Sequence, residues 1–221
     1  MPAITTKLGY VNAIDKHAEA AFVRPDANLA RALANTAAND IPMINVDPLP
    51  GQLLAIQARL VGAKNILEIG TLAGYSTLWL SKSGAKVTCL EVSQKHADVA
   101  AENLRAAGLT PDIIVGEAIN QLPKLVDQGK VYDMVFIDAD WERQAEYFDW
   151  AVKLTRKSGC IFVDNVVSAI IRLREGKPEG SILDSVGADE RVLATLVPRV
   201  YTSDDNVETM GFDGVIIAVV N

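Results

Sequence analysis

The stretch NILEIGTLAGYSTLWL (Asn65–Leu80) decides the fold. It opens with an apolar run of strand length, turns between Gly70 and Gly74, and continues from Tyr75 with helical spacing. Four more apolar runs follow the same rhythm: KVTCLEV (Lys86–Val92), DIIVG (Asp112–Gly116), YDMVFID (Tyr132–Asp138) and GCIFVD (Gly159–Asp164). The segments Tyr75–Ser83, Gln94–Ala107, Asn120–Gln128 and Arg143–Thr155 between them read as helices. Near-continuous apolar strands alternating with helices predict a parallel sheet covered on both faces. At the end, RVLATLVPRVYTSDD and FDGVIIAVV give two strands with no helix between them, an antiparallel hairpin closing the sheet.

Outward from this core, Val11–Phe22 and Leu29–Asn39 carry helical spacing, and Asp26 is the expected N-cap of the second helix. The prolines of INVDPLPGQ (Ile44–Gln52) mark a loop, and LLAIQARLVG reads as a third helix. No linker, repeat or low-complexity tract interrupts the chain. One domain over residues 1–221, with a helical extension over about 1–60, is expected.

With 221 residues, 49% of them hydrophobic, the chain can bury a full core without staples. The net charge of −7 argues against nucleic acid or an anionic membrane as partner and favours a small molecule. No apolar run approaches the ~20 residues of a membrane span. The start MPAITTKLGYVNAIDKH lacks the pattern of a secretory signal, and a cytoplasmic protein is expected. Cys89 and Cys160 lie in apolar runs and read as buried, reduced thiols.

Ligands of such sheets bind at the carboxyl ends of the strands. Glu91, Asp138 and Asp164 all end strands there. Each alone suits a helix cap, but the three converge on one edge. Gly70 and Gly74 allow a tight turn and a close backbone approach to a ligand. Glu91, 21 residues after Gly70, stands where a carboxylate accepts from the hydroxyls of a ribose. The spacing is GxxxG rather than GxGxxG, and Glu68 just before it would repel a pyrophosphate. A ribose-bearing ligand with an ammonium and no phosphate fits better, and S-adenosylmethionine (SAM) is such a molecule. Asp138 and the pair Asp164-Asn165 end neighbouring strands, which lie about 4.8 Å apart. Alone, Asp164-Asn165 reads as a turn. Together, two carboxylates and an amide oxygen are hard ligands suited to Mg²⁺, with positions left for two adjacent substrate oxygens.

In this order and spacing, EIGTLAGYSTLWL, CLEVS, FIDAD and VDNVV resemble the cation-dependent O-methyltransferases that include the catechol and caffeoyl-coenzyme A enzymes. The likeness runs from about Ile44 to Val166, with an echo in DGVIIAVV. It implies a Rossmann-like α/β fold with a seven-stranded SAM methyltransferase sheet, and a homodimer. It also implies that Val46 meets the methionine end of SAM, while Glu68, Gly70, Thr71, Tyr75 and Ser76 cradle its amino-acid part. Glu91 would hold the ribose and Ala118 would lie by the adenine. Asp138, Asp164 and Asn165 would hold the metal. Asp138 lies near both the donor and the metal half, so it is also expected to contact SAM and, as the catalytic residue, to orient the acceptor. Trp141 departs from the pattern, because the family usually places a lysine there as base or charge stabiliser. An indole has only a donor N–H, but its face can stack on an aromatic acceptor.

The activity implied is SAM- and divalent-metal-dependent methylation of one hydroxyl of a small vicinal-dihydroxy aromatic, of catechol, flavonoid or caffeoyl type. Two other readings stay open: a SAM-binding protein without turnover, and an NAD-dependent enzyme on a similar sheet. His17 and His96 read as surface or packing residues, and Trp79, Phe148 and Trp150 as core. RLREGKPEG (Arg172–Gly180) reads as a solvated loop. The resemblance adds that the corresponding loop helps form the substrate entrance.

Overall fold

The computed structural model describes residues 7–202 and 210–221. Helices α1 (Lys7–Phe22), α2 (Ala27–Ala38) and α3 (Pro48–Leu60) precede the sheet. Strand and helix then alternate as β1 (Asn65–Ile69), α4 (Tyr75–Ser81), β2 (Lys86–Glu91), α5 (Gln94–Ala106), β3 (Asp112–Val115), α6 (Ala118–Asp127), β4 (Tyr132–Ile137), α7 (Gln144–Leu154) and β5 (Thr155–Val163). Helices α8 (Val166–Arg174) and α9 (Ile182–Gly187) lead to the long strands β6 (Val192–Thr202) and β7 (Met210–Val220).

The sheet has seven strands in the order β3-β2-β1-β4-β5-β7-β6. β1 pairs in parallel with both β2 and β4, and β7 runs antiparallel to β5 and β6. This is the mostly parallel sheet with one antiparallel strand that the sequence predicts. The strand order reverses between β1 and β4, so a crevice opens beyond their carboxyl ends.

Strand alternation divides the core into two layers. Ile66, Phe136 and Phe162 pack against Leu54, Ala58, Trp79 and Leu104 on one face. Leu67, Ile69, Val135 and Ile161 pack against Leu122, Phe148, Val166 and Ile182 on the other. Phe136 and Phe162 are register partners on β4 and β5 and meet edge to face, 5.8 Å between centroids. Trp79 and Phe148 are core residues as expected, and Trp150 is half-buried beneath Lys153. Cys89 and Cys160 are buried free thiols.

Local departures have local causes. Asp26 caps α2 as expected, accepting from Asn28 N at 2.9 Å and Leu29 N at 3.2 Å. The expected loop over Ile44–Gln52 ends early, because α3 already begins at Pro48. A proline in a first helical turn lacks an N–H that would have no partner there anyway. β5 begins at Thr155, where a helix was expected to end. The segment Arg172–Gly180 is exposed throughout, but its first three residues are the last turn of α8 rather than loop.

Candidate active site

The crevice is a cavity of about 760 Å³, within the range of about 300–1,000 Å³ typical of small-molecule sites. Gly70, Thr71, Tyr75 and Ser76 line it, with Val46, Glu91, Ala118, Asp138, Trp141 and Asn165. The structure thus brings together residues predicted from six separate strand ends and loops.

One wall of it is the turn after β1. Gly70 has φ +89°, and a Cβ there would stand 1.9 Å from the Asp138 carbonyl oxygen. Gly74 has φ +82°, and a Cβ there would crowd Ala100 at 3.3 Å. Backbone conformation therefore favours glycine at both positions, and at Gly70 the close approach forbids a Cβ as well. The Glu91 carboxylate ties this turn down. It accepts from Thr71 N at 3.2 Å, Leu72 N at 2.8 Å and Ser93 N at 2.9 Å. His96, expected to have only a surface or packing role, also lines the cavity, with Nδ1 3.3 Å from Glu91 Oε1.

Glu68 does not line the cavity. The pleat turns its side chain toward α4, where it is fully buried and accepts from Ser76 Oγ at 2.6 Å, from Thr77 Oγ1, and from Cys89 Sγ at 3.4 Å. Burial pushes its carboxyl up to about 7, against the opposing pull of those hydrogen bonds. Its contact with the cavity runs through Ser76, whose single hydroxyl proton it takes.

Asp138 and Asn165 face the cavity, whereas Asp164 lines a neighbouring cavity of about 520 Å³ together with Val46, Asp47 and Arg199. Parallel pairing sets the two strand ends side by side: Asp138 N donates to Ile69 O at 2.8 Å and Asp164 N to Ile137 O at 2.9 Å. Gln144, buried at the start of α7, holds the Asp164 carbonyl at 2.9 Å. Asn165 turns the chain into α8 with φ +59°, a conformation asparagine tolerates. Its amide nitrogen donates to Asp213 at 2.9 Å, which leaves the amide oxygen for a ligand. Asp213 also accepts from Ser168 N and Gly214 N. Sequence reasoning missed Asp213; its signal was an aspartate inside the apolar run FDGVIIAVV.

Burial raises the carboxyls of both Asp138 and Asp164, and nearby carboxylates add to it. For Asp138 these are Asp164, Glu68 and Asp213. Asp164 is pushed up to about 6, with Asp213 adding to its burial. No group of three or more His, Cys, Asp and Glu side chains is arranged for a metal among the described residues. The set of two carboxylates and one amide oxygen is nevertheless hard-donor chemistry that fits a divalent cation.

The acceptor side is built differently. Trp141 begins a single 3₁₀ turn (Trp141–Arg143) and is half-buried, with the Arg172 guanidinium 5.4 Å from its ring centroid. Beside it, the Tyr147 hydroxyl donates to Asp140, and Arg143 Nε stands 3.6 Å from the same carboxylate. Burial raises the Tyr147 phenol above its usual range, and the Asp140 carboxylate adds to this.

Comparison with known proteins agrees with this geometry. A family model described as O-methyltransferase matches residues 21–198. A catechol O-methyltransferase of Niastella koreensis is 39% identical over 208 residues, 88% of this chain and 90% of that protein. Another, of Mycobacterium tuberculosis, is 35% identical over 217 residues, 94% of each. Among solved structures, an O-methyltransferase from Bacillus cereus in complex with SAH has a TM-score of 0.82 at 33% identity, covering 97% of this chain and 100% of that one. TomG from Streptomyces achromogenes, solved with SAM, has a TM-score of 0.83 at 30% identity, covering 98% and 100%. By sequence over most of its length and by fold, this chain belongs to the O-methyltransferase family.

Proposed function

We propose that this protein is a SAM-dependent, divalent-metal-dependent O-methyltransferase that methylates one hydroxyl of a small aromatic with vicinal hydroxyls. One observation carries the reading: Asp138 and Asn165 share a single cavity with Gly70, Ser76 and Glu91, so a methyl donor and a chelating acceptor can meet there. The acceptor oxygen attacks the methyl carbon as the bond from that carbon to sulfur breaks.

The chain's own residues mostly align the two reactants, which is worth about 7–11 kcal/mol in well-oriented systems. The Gly70 turn approaches the donor, and Thr71, Tyr75 and Ser76 enclose its amino-acid end. Val46 closes over the methionine chain, Glu91 receives the ribose hydroxyls, and Ala118 leaves room for the adenine. Glu68 acts from behind, fixing the direction of the Ser76 hydroxyl. Asp138, Asp164 and Asn165 would hold the cation, and Asp213 and Gln144 would keep two of these ligands in place. When bound, a cation such as Mg²⁺ supplies charge stabilisation and lowers the pKa of the acceptor hydroxyls. Trp141 offers an aromatic face to the acceptor ring.

A homodimer is part of the proposal. Leu193 (74% exposed), on the edge strand β6, and its register partner Val219 (42%), on the adjoining β7, present apolar surface near that edge of the sheet. The two reduced thiols suit a cytoplasmic setting, and no helix among the described residues is long and apolar enough to cross a membrane.

The test is methyl transfer from SAM to a panel of catechols, flavonoids and caffeoyl thioesters, with and without a chelator. Transfer to vicinal diols that the chelator stops is expected. Binding of SAM with no transfer to any vicinal diol would overturn the proposal, as would equal rates on monohydroxy phenols.

A further inference from the structure

Trp141 faces two spaces. It lines the 760 Å³ cavity and also a separate, solvent-open cavity of about 370 Å³ between the 3₁₀ turn, α7, α8 and α9. Among the described residues it is the one that lines both. The second cavity is lined by the apolar Ala145, Ala169, Ile170, Leu173 and Ile182 and, in similar measure, by the polar Glu142, Gln144, Arg174 and Ser181. On volume alone it could take a substituent of several heavy atoms.

The indole is held at this boundary. The Arg172 guanidinium, from the last turn of α8, lies 5.4 Å from the ring centroid, within range of a cation–π contact. Arg172 forms no ion pair with a carboxylate among the described residues, so the ring is its one described partner. Trp141 also starts a 3₁₀ turn whose neighbours Asp140 and Arg143 are tied to each other, and Asp140 to Tyr147. A rigid aromatic pinned by its backbone on one side and by a cation on another makes a fixed wall.

We infer that Trp141 is the size-determining residue for the acceptor. It confines the acceptor ring to the large cavity and shuts the 370 Å³ cavity off, with Arg172 as the positioning residue that keeps the indole in place. The preferred acceptor is then a compact dihydroxy ring rather than one carrying an extended chain. A smaller side chain at this position joins the two cavities and admits the longer substituent. The inference rests on the proposed function, since it assumes an aromatic acceptor beside Asp138.

The experiment compares catechol with an alkyl caffeate ester, which carries the same dihydroxy ring on a longer chain. Both kcat/KM for methyl transfer and the calorimetric Kd in the presence of SAH are measured. Because both acceptors stack the same ring, any lost stacking cancels in the ratio between them. Wild type should prefer catechol. Trp141→Ala should shift both ratios toward the ester by about tenfold or more, a single methylene in a hydrophobic pocket already being worth about 10–200-fold. Adding Ala145→Leu to that variant refills the smaller cavity and should take most of the shift back. Arg172→Ala should give a smaller shift in the same direction, and Arg172→Lys, which keeps the cation, less still. If Trp141→Ala fails to fold, as judged by its melting curve, Trp141→Leu and the Arg172 variants carry the test. Ratios unchanged by these substitutions, or a wild type that binds the ester as tightly as catechol, would overturn the inference while leaving the proposed function standing. A wild type that neither binds nor methylates either acceptor, though it binds SAM, would overturn both.

Discussion

Ser76 gives its only hydroxyl proton to Glu68 across 2.6 Å, beneath the floor of the cavity. A buried carboxyl thus sets the orientation of a hydroxyl that a ligand would meet. It is held at about 7 by desolvation, in a place where solvent cannot repay the cost of ionising it.

That carboxyl makes stability depend on pH. Its ordinary value of 4.5 applies to the unfolded chain and about 7 to the folded one, so the folded state holds the proton more tightly. Below about pH 4.5 both states are protonated and nothing is lost. As pH rises through 7 the folded protein loses on the order of 3 kcal/mol relative to a chain lacking this group. The melting temperature of wild type should therefore fall by several degrees relative to Glu68→Gln between pH 5 and pH 8. A constant difference across that range would show that Glu68 titrates normally.

Gly70 tests the donor turn. Alanine there meets the Asp138 carbonyl and must adopt a positive φ, which alone costs about 1–2 kcal/mol. Gly70→Ala should lower the melting temperature and weaken SAM binding together, as measured by thermal unfolding and calorimetry.

The donor and metal halves of the site should separate by mutation. Glu91→Gln removes a charge that holds Thr71 N and Leu72 N and faces the ribose position. It should weaken SAM by about 10–150-fold, the worth of hydrogen bonds to a charged group. Asp164→Ala should abolish turnover and leave the Kd for SAM nearly unchanged. Equal loss of SAM affinity in both variants would contradict the division.

No lysine stands at Trp141, so removal of the acceptor proton should follow hydroxide, and activity should climb well into the alkaline range. Trp141→Lys should raise the rate near neutral pH, where a positioned base contributes about 10²–10⁴-fold. A pH–rate profile that the substitution leaves unchanged would assign the base elsewhere.

Much of this site was legible in one dimension. Gly70, Glu91, Asp138, Asp164 and Asn165 stand at the ends of apolar runs, and a parallel sheet gathers such ends at one edge. The five parallel strands, the closing pair and the GxxxG turn follow from periodicity and local conformational need, which neighbouring residues impose without help from the rest of the chain.

Tertiary structure alone decided the rest. Glu68 looked like a ligand-facing carboxylate, yet the pleat of β1 and the packing of α4 turn it to Ser76, Thr77 and Cys89. Asp213 reaches Asn165 because β7 enters antiparallel beside β5, which brings the start of one strand to the end of the other. Trp141 comes to line two cavities, with Arg172 of α8 brought over its ring. Hydrophobic period and strand-end chemistry are properties of short segments, whereas these three relationships join residues whose separation in sequence carries no record of the distance between them.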